Sequence, residues 1–597
     1  MRKLLFALLT LLTASSLHGN ELHPAFPLLD VNGQPVLISG QPLSTTLSCN
    51  GCHDAAFIIE SSDHAAAGVF GDEEPDCLVC HSDAGEQRQW EAASFQADGS
   101  LNPGVLNIRK PTDENCAQCH GLVSNRLDIP LTVRSDPESR QMTERTGQII
   151  SPQKISNSGL NIAGKATLTH AFDVHSDRIV GCVNCHYSLN NPVYFQQRRD
   201  SRPPHLAFDP RRLSNSEYLT RPLHQLAKGA SVHGLDAVQS ENSMRRCEGC
   251  HDATQVHQWL PYKRRHFEAM ACESCHVPVL YGPALQSLDE TLVDAEGRPL
   301  RHYRDVEGDP TTADSLIHGF RPAMLVRENV GGERKLAPFN LVTHWYWQAG
   351  DPPQAVSSQQ VRNALYAQGR LRPELKEALD LDGDGMVWAD EFRLDSAAAE
   401  DAVRRSLEAT GLKNVSLAGE ITPYPISHNV VNGQWATRDC LSCHGADSVF
   451  AAEFTLSDYL PGGSLPVMEE HSGVGSGGEI NPVEGGGASF TPDASSEGYY
   501  IIGLSGLAWV DLAGVVMFLG ISFGVTVHAI ARYVANRRRP RAKLPTRRVH
   551  LYDAYERIWH WLQAGAILML IFTGLIIHKP HFFGIFSFDY VVQVHNV

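Results

Sequence analysis

The sequence predicts a mainly α protein in two parts, a loop-rich exported domain and a transmembrane helical bundle that is incomplete at its C-terminus. Three observations lead to this prediction. The pattern Cys-x-x-Cys-His occurs seven times and uses all 14 cysteines. An apolar segment with a basic start opens the chain, and long apolar segments close it. The net charge of −17 argues against a chain built to bind nucleic acid.

The seven motifs predict covalent attachment of seven c-type haems. Two thiols at this spacing each bond one vinyl group of a porphyrin, and the adjacent histidine reaches the iron. Zinc ribbons and thioredoxin-like sites also use Cys-x-x-Cys, but here a histidine follows every pair. Seven porphyrins would dominate the core of this domain, so we expect little sheet. The predicted attachment and proximal-ligand residues are Cys49, Cys52 and His53; Cys77, Cys80 and His81; Cys116, Cys119 and His120; Cys182, Cys185 and His186; Cys247, Cys250 and His251; Cys272, Cys275 and His276; and Cys440, Cys443 and His444.

The start of the chain predicts export. Residues 1–19 combine a basic Met-Arg-Lys start, a short apolar run and small residues, which is typical of a signal peptide. An uncleaved anchor helix is the alternative, and it would export the following segment equally. Residues 20–462 are then a periplasmic heptahaem cytochrome c domain.

The sixth iron ligand decides whether each haem only transfers electrons or also binds substrate. Two axial histidines close an iron, whereas an open face can bind a small molecule. The exported part has enough histidines to close every site, although any one of them could instead be a solvated or core residue. The candidate distal ligands are His64, His175, His257, His266, His344 and His428. Spacing does not tell which of them pairs with which haem.

Residues 380–391, DLDGDGMVWADE, predict a calcium loop of the EF-hand type, because they match the pattern D-x-[DN]-x-[DN]-G-x5-E at every position. The flanking segments have helical patterns, and an acidic surface turn is the alternative. A single loop favours a structural ion over a sensor. The predicted ligands are Asp380, Asp382, Asp384, the backbone carbonyl of Met386, and Glu391.

The composition changes after residue 462. Residues 463–499 are rich in Gly and Ser and predict a flexible linker. Residues 500–536 predict a transmembrane anchor helix. Residues 537–557 predict a cytoplasmic loop, because seven of the first twelve are Arg or Lys. Nucleic-acid binding is a poor alternative for this basic run, which adjoins a membrane span.

Residues 558–597 predict the start of a second membrane unit. His560 and His578 are 18 residues apart, or five helical turns, so they share a face about 27 Å apart. One histidine near each membrane surface suits two stacked b-type haems, with interfacial histidines as the alternative. His595 follows in a third apolar segment. Partner helices would be needed to complete the unit, so we expect either a truncated chain or a second membrane subunit.

Two family resemblances extend these predictions. The stretch YERIWHWLQAGAILMLIFTGLIIHKP resembles the first core helix of hydrogenase-type cytochromes b561, which are di-haem membrane subunits that exchange electrons with quinone. This resemblance implies that His560 and His595 bind b-type haem. The motif spacing and the SHNV…CLSCH ending resemble the octahaem tetrathionate-reductase-type cytochromes. Those proteins carry one Cys-x-x-Cys-Lys motif at the active haem, and this chain has none. The whole arrangement is similar to inner-membrane quinol dehydrogenases.

These observations predict electron transfer in the bacterial inner membrane, with quinone as substrate, one or two haems b, seven haems c and Ca²⁺. Electrons would pass from the quinone pool to periplasmic c-type cytochromes or a terminal reductase, as in a quinol:cytochrome c oxidoreductase of anaerobic or extracellular respiration. The alternative is a terminal reductase of a small substrate such as tetrathionate, nitrite or hydroxylamine at an open c haem. A structural calcium-binding surface protein is a third reading, for which seven haems are excessive.

Overall fold

A computed structural model of the chain describes residues 26–53, 55–60, 76–82, 92–97, 99–102, 105–106, 108–109, 111–134, 140–182, 185–186, 247, 251–330, 333–469, 474–475, 477–506, 508–538, 549–583 and 585–596. The predicted signal peptide, the candidate ligand His64 and the attachment residue Cys250 lie outside these residues.

The segments that carry the first six motifs consist of short helices joined by loops. Helices α1 to α10 are Val36–Ser39, Thr45–Asn50, Ala55–Glu60, Cys77–His81, Asp113–His120, Gln141–Thr146, Val174–Asp177, Ala253–Val256, Lys263–Ala269 and Glu273–His276. Single 3₁₀ turns lie at Ala92–Ser94, Ile155–Asn157 and Lys165–Thr167. A two-stranded ribbon of β1, Leu29–Asp30, and β2, Leu43–Ser44, holds the N-terminal end together.

The prediction of a mainly α fold with a haem-dominated core is wrong, because an eight-stranded mixed sheet fills the region after the sixth motif. Strands β3 to β9 are Leu285–Val293, Pro299–Tyr303, Val306–Glu307, Leu316–Ile317, Ala323–Val330, Glu333–Ala349 and Gln354–Ala355. Strands β10 to β17 are Tyr366–Ala367, Arg370–Leu371, Ser416–Pro425, Phe454–Ser457, Val467–Met468, Val474–Gly475, Gly478–Pro482 and Ala488–Pro492.

The long strand β8 organises the sheet, in which five strands follow the order β14-β12-β8-β3-β4. It pairs antiparallel with β12, with Thr343 opposite Ile421, and parallel with β3, with Thr343 also opposite Ser287. Strand β7 pairs antiparallel with the first half of β8. Strand β9 pairs antiparallel with the end of β8. Strand β15 adds to β7. A separate three-stranded sheet has the order β13-β17-β16.

The sheet forms because its strands bury their own apolar side chains. Residues 339–347, FNLVTHWYW, are rich in β-branched and aromatic residues, which favour strands. Phe339, Trp345 and Trp347 are fully buried, and one sheet face packs with Leu341, Ile421 and further apolar residues. This protein core needs no porphyrin, and the prediction failed because it assigned the core to haem alone.

A helical insertion packs on the sheet and carries the predicted calcium loop. Helices α11 to α13 are Ser358–Leu365, Pro373–Leu379 and Ala397–Ala409. Their apolar faces share a core with Trp347 of β8. The helix expected before the loop is broken by the hairpin of β10 and β11. The helix expected directly after the loop begins only at Ala397, beyond a capping hydrogen bond from Ala399 to the Ser396 side chain.

Residues 463–499 are not the flexible linker that their composition predicted. They contain strands β14 to β17, and Phe490 of β17 is 1% exposed in the core with Phe339. Their glycines allow close approach of backbones, since a Cβ at Gly487 would lie 2.3 Å from the Ser457 carbonyl oxygen. A 3₁₀ turn at Pro461–Gly463 precedes them.

The C-terminal region is helical. After α14, Leu441–His444, helices α15, α16 and α17 are Ala508–Arg538, Ala554–His578 and Phe588–His595, with a 3₁₀ turn at Pro580–Phe583. Two of them, α15 and α16, are long and apolar enough to cross a membrane. Most of their large apolar side chains are exposed, as suits helices that face lipid. Helix α17 packs on α16, with Phe588 and Val592 buried.

Candidate haem-binding sites

In the described parts of the motifs, the histidine lies one helical turn after the first cysteine. The backbone N–H of the histidine donates to the carbonyl of the first cysteine in five motifs, for example from His186 to Cys182 at 2.9 Å and from His444 to Cys440 at 2.9 Å. Asp76 caps the turn of the second motif, and a capping box of Thr112 and Asn115 starts the third. A single turn holds both thiols and the imidazole together, as attachment to one porphyrin requires.

Four proximal histidines each face one of the predicted distal histidines. The ring centres of His186 and His428 are 6.3 Å apart, and those of His251 and His175 are 6.2 Å apart. The pair His276 and His257 is at 6.0 Å, and His444 and His266 are at 6.2 Å. Two imidazoles that bind one metal from opposite sides at about 2 Å each place their ring centres roughly 6 Å apart. The residues therefore fit a bis-histidine iron at all four sites.

Three of these imidazoles are held through Nδ1 by a backbone carbonyl. The Nδ1 of His276 donates to the Val431 carbonyl at 2.9 Å, and that of His257 donates to the Ala253 carbonyl at 2.8 Å. His444 Nδ1 donates to the Ile502 carbonyl at 2.8 Å. A carbonyl only accepts hydrogen bonds, so Nδ1 carries the proton and Nε2 keeps a lone pair. This arrangement is typical of metal-bound histidines.

Strand β12 and the turn that follows it position His428. Strand β12 leads into residues 426–431, and Asn429 takes a left-handed conformation with φ of 65°. The Asn429 side chain accepts a hydrogen bond from the Ile149 N–H at 2.7 Å, which fixes the turn. Burial lowers the pKa of His428 below its ordinary value, which favours the neutral form that a metal ligand needs.

A buried carboxylate connects two of the distal histidines. Asp173 Oδ1 accepts the His175 N–H at 2.8 Å and Oδ2 accepts the Val430 N–H at 3.1 Å, two residues after His428. Burial, the largest single influence, raises the pKa of Asp173, but His175, His428 and the Val430 N–H together outweigh burial and lower this pKa. Sequence reasoning missed this residue, because a lone Asp between motifs carries no pattern.

Two predicted distal ligands are not placed at a described proximal histidine. His344 lies in β8, where its Nε2 is 3.3 Å from a Glu290 carboxylate oxygen and its ring packs on Tyr346 at 5.0 Å. The side-chain alternation of the strand directs it to this sheet face. His64 lies outside the described residues. For the second motif, His81 Nδ1 donates to the Arg109 carbonyl at 3.1 Å.

Cysteines of different motifs lie close together, which brings neighbouring attachment points into contact. The Cys49 side chain of the first motif lies beside that of Cys77 in the second, and the Cys116 side chain of the third lies beside that of Cys182 in the fourth. The sixth motif is anchored on the sheet, with Ser274 Oγ donating to the Leu336 carbonyl at 2.8 Å.

The predicted calcium loop brings three of its carboxylates together. One oxygen each of Asp380, Asp382 and Asp384 lie within 4.8 Å of one another. Glu391 does not join them; its oxygens accept the backbone N–H groups of Leu381, at 2.9 Å, Asp382 and Trp388. The Met386 N–H donates to Asp384 at 2.7 Å, and the Met386 side chain is exposed.

The predicted b-haem histidines have mixed surroundings. His560 lies on the exposed surface of α16 beside Trp561. His578 Nε2 is 2.8 Å from an Asp511 oxygen of α15, so this polar contact joins the two helix ends. His595 Nδ1 is 2.8 Å from the Thr573 hydroxyl, next to Gly574 of α16. Sequence reasoning did not single out Asp511, because a lone carboxylate near the start of an apolar segment forms no pattern.

Comparison with known proteins adds little. No protein-family model and no curated protein matches the chain. The octaheme cytochrome c from Shewanella oneidensis is a structural neighbour with 14% sequence identity and a TM-score of 0.28, over 62% of this chain and 72% of that one. A TM-score this low carries no argument about fold or function.

Proposed function

We propose that this chain is a membrane-bound electron-transfer protein that connects the quinone pool with periplasmic acceptors through seven c-type haems. The observation that carries the proposal is the set of four histidine pairs at 6.0–6.3 Å, each joining a motif histidine to one of the candidate distal histidines. A bis-histidine haem supplies one-electron exchange without an open position for substrate. Four such sites in one exported domain suit a relay.

The membrane part is proposed to bind quinone and one or two b-type haems. Helices α15 and α16 have the length and composition of spans, and His560, His578 and His595 are the candidate ligands. His595 fits best, because its Nδ1 is engaged by Thr573 and Nε2 stays available. Since His578 pairs with Asp511, it fits less well. The missing opposing ligands would come from further helices or a second membrane subunit.

Electrons are proposed to flow from quinol to a periplasmic c-type cytochrome or a terminal reductase, in the bacterial inner membrane. The basic cluster after α15 supports an orientation with the haem-binding domain in the periplasm, because such clusters stay in the cytoplasm.

The loop of residues 380–391 is proposed to bind one structural Ca²⁺ through Asp380, Asp382 and Asp384. Their converging oxygens support this proposal.

Electron paramagnetic resonance of the oxidised full-length protein tests the relay. We expect only low-spin ferric signals, unchanged by nitrite or hydroxylamine, because both axial positions are filled. A high-spin c-type signal that shifts with either ligand would contradict the relay and favour a terminal reductase. Anaerobic mixing with a quinol tests the membrane part. We expect the absorbance bands of reduced c-type haem to appear, and their absence would contradict the quinone assignment.

A further inference from the structure

The seventh haem-binding site lies against the membrane segments of the chain. The His444 ring stacks on the Phe588 ring of α17 with centres 5.4 Å apart and planes 20° apart. His444 Nδ1 donates to the carbonyl of Ile502, in the segment that leads into α15. One imidazole thus contacts both the entry to the first span and the last helix.

The segment that carries the opposite ligand also contacts the end of the last helix. His266, whose ring faces His444, lies in α9, which begins after Tyr262. The Tyr262 hydroxyl donates to the Asn596 side chain at 2.5 Å, directly after α17 ends. Both faces of the seventh site are therefore bounded by residues that belong to, or bond with, the C-terminal helices.

The backbones at this junction are packed closely. A Cβ at Gly503 would lie 2.6 Å from the His444 carbonyl oxygen and 3.0 Å from Pro580. Only glycine fits there, and its φ of 92° also favours glycine. The seventh motif, the segment before α15 and the turn after α16 are therefore in direct contact, with no space even for a Cβ atom between them.

The other described sites are held by the exported domain. His276 is bonded to Val431, and His428 is positioned by the turn after β12. Asp173 links the His175 and His428 segments. By contrast, His595 lies only seven residues after Phe588 on α17, which is about 10 Å along a helix. His595, the candidate b-haem ligand, and Phe588, which stacks on His444 of the seventh site, are thus on the same short helix.

We propose that electrons cross between the membrane part and the c-type haem chain at the seventh motif, where His444 and His266 are the axial ligands and Phe588 is a positioning residue. This inference rests on the proposed function. Quinol releases two electrons and two protons to become quinone, and each crossing moves one electron to the ferric site at His444. No covalent bond forms or breaks at the crossing.

Removal of the seventh attachment site tests the route. In the full-length double variant Cys440→Ser, Cys443→Ser, we expect quinol to reduce b-type haem but none of the six remaining c-type haems. Dithionite should still reduce all six, which shows that they are intact. Reduction of the six haems by quinol at the wild-type rate would overturn the proposed crossing. If quinol reduces no c-type haem in the wild-type protein, the proposed function itself fails.

Phe588 gives a second test that keeps all seven haems. In Phe588→Ala we expect quinol-driven reduction of the c-type haems to slow by about tenfold, as for other residues that support a metal ligand. Water beside His444 should stabilise the ferric charge, so the potential of one c-type haem should fall while the others stay constant. Phe588→Leu, which keeps an apolar cover, should give a smaller shift of the same haem.

Tyr590→Ala is the matched control, because Tyr590 lies on the same helix but is 66% exposed. It should leave the potentials and the rate unchanged. Equal effects of the Phe588 and Tyr590 variants on the potentials, or a potential shift spread over several haems after Phe588→Ala, would contradict the role of Phe588 at a single site.

Discussion

At the residue scale, the positions of the axial histidines depend on a few buried polar groups. Asp173 is 3% exposed and caps α7, which carries His175, while it also holds the turn after His428. One carboxylate therefore contributes to two neighbouring sites. Such supporting groups affect a metal site nearly as strongly as the ligands.

We predict that Asp173→Ala disturbs two haems together. Loss of the cap should cost about 1 kcal/mol and leave the Val430 N–H without its partner. Two of the low-spin signals should broaden or become high-spin in electron paramagnetic resonance, and the other signals should be preserved. The control is Asp177→Ala, an exposed carboxylate of the same helix. A change in only one signal would contradict the shared role.

The sequence predicts the motif residues, because covalent attachment to one porphyrin needs a fixed local spacing. Four of the six distal candidates were also placed opposite motif histidines. Their pairing could not be predicted, since residues as distant in the chain as His186 and His428 face each other. His344 shows the limit of this reasoning, because a strand position directed it to Glu290 instead.

At the scale of elements, the sheet is the main departure from the prediction. The alternation and aromatic content of β8 were visible in the sequence, but a core made of porphyrin was assumed to replace a protein core. Strand pairing joins residues that are distant in the chain, such as Thr343 and Ile421, and no local pattern specifies this pairing.

The assignment of residues 463–499 to folded, partly buried strands can be tested directly. Phe490→Ala should lower the free energy of unfolding by about 3–5 kcal/mol, because a fully buried ring is replaced by a cavity. Val483→Ala, in the same segment but 41% exposed, should change it by less than about 0.5 kcal/mol. Denaturant unfolding followed by tryptophan fluorescence measures both. Equally small effects would restore the flexible-linker interpretation.

The acidic loop allows a test of metal binding. At a calcium concentration of 10 to 100 times the dissociation constant, the ion should stabilise the folded state by about 1.4–2.7 kcal/mol. We therefore expect calcium to raise the melting temperature of the chelator-treated wild-type protein. Asp382→Asn should remove most of this rise, while Glu408→Gln, an exposed residue outside the loop, should keep it. A wild-type protein insensitive to calcium would contradict the site.

At the scale of the whole molecule, the sheet acts as a frame that joins the haem-binding segments to the membrane helices. Strand β8 anchors the sixth motif through Leu336, and β12 leads to His428. The seventh motif then lies between this frame and α17. This order places the seventh motif at the junction between the sheet and the C-terminal helices.

The proposed orientation predicts which loops face the cytoplasm. A protease recognition sequence inserted in the basic run at residues 539–548 should be protected in intact spheroplasts and cut in lysed membranes. The same sequence inserted between Ser495 and Ser496, which are exposed, should be cut in both. Immunoblotting of the fragments gives the result. Cutting of the basic run in intact spheroplasts would reverse the topology.

The sequence by itself determined the seven motifs, the acidic loop and the two apolar segments, because each depends on residues that are close together in the chain. The tertiary structure alone decided which histidines face each other, that residues 285–492 are organised around sheets, and that the seventh site adjoins the membrane helices. These features depend on contacts between distant segments, whose free energy comes from burial and backbone pairing across the fold.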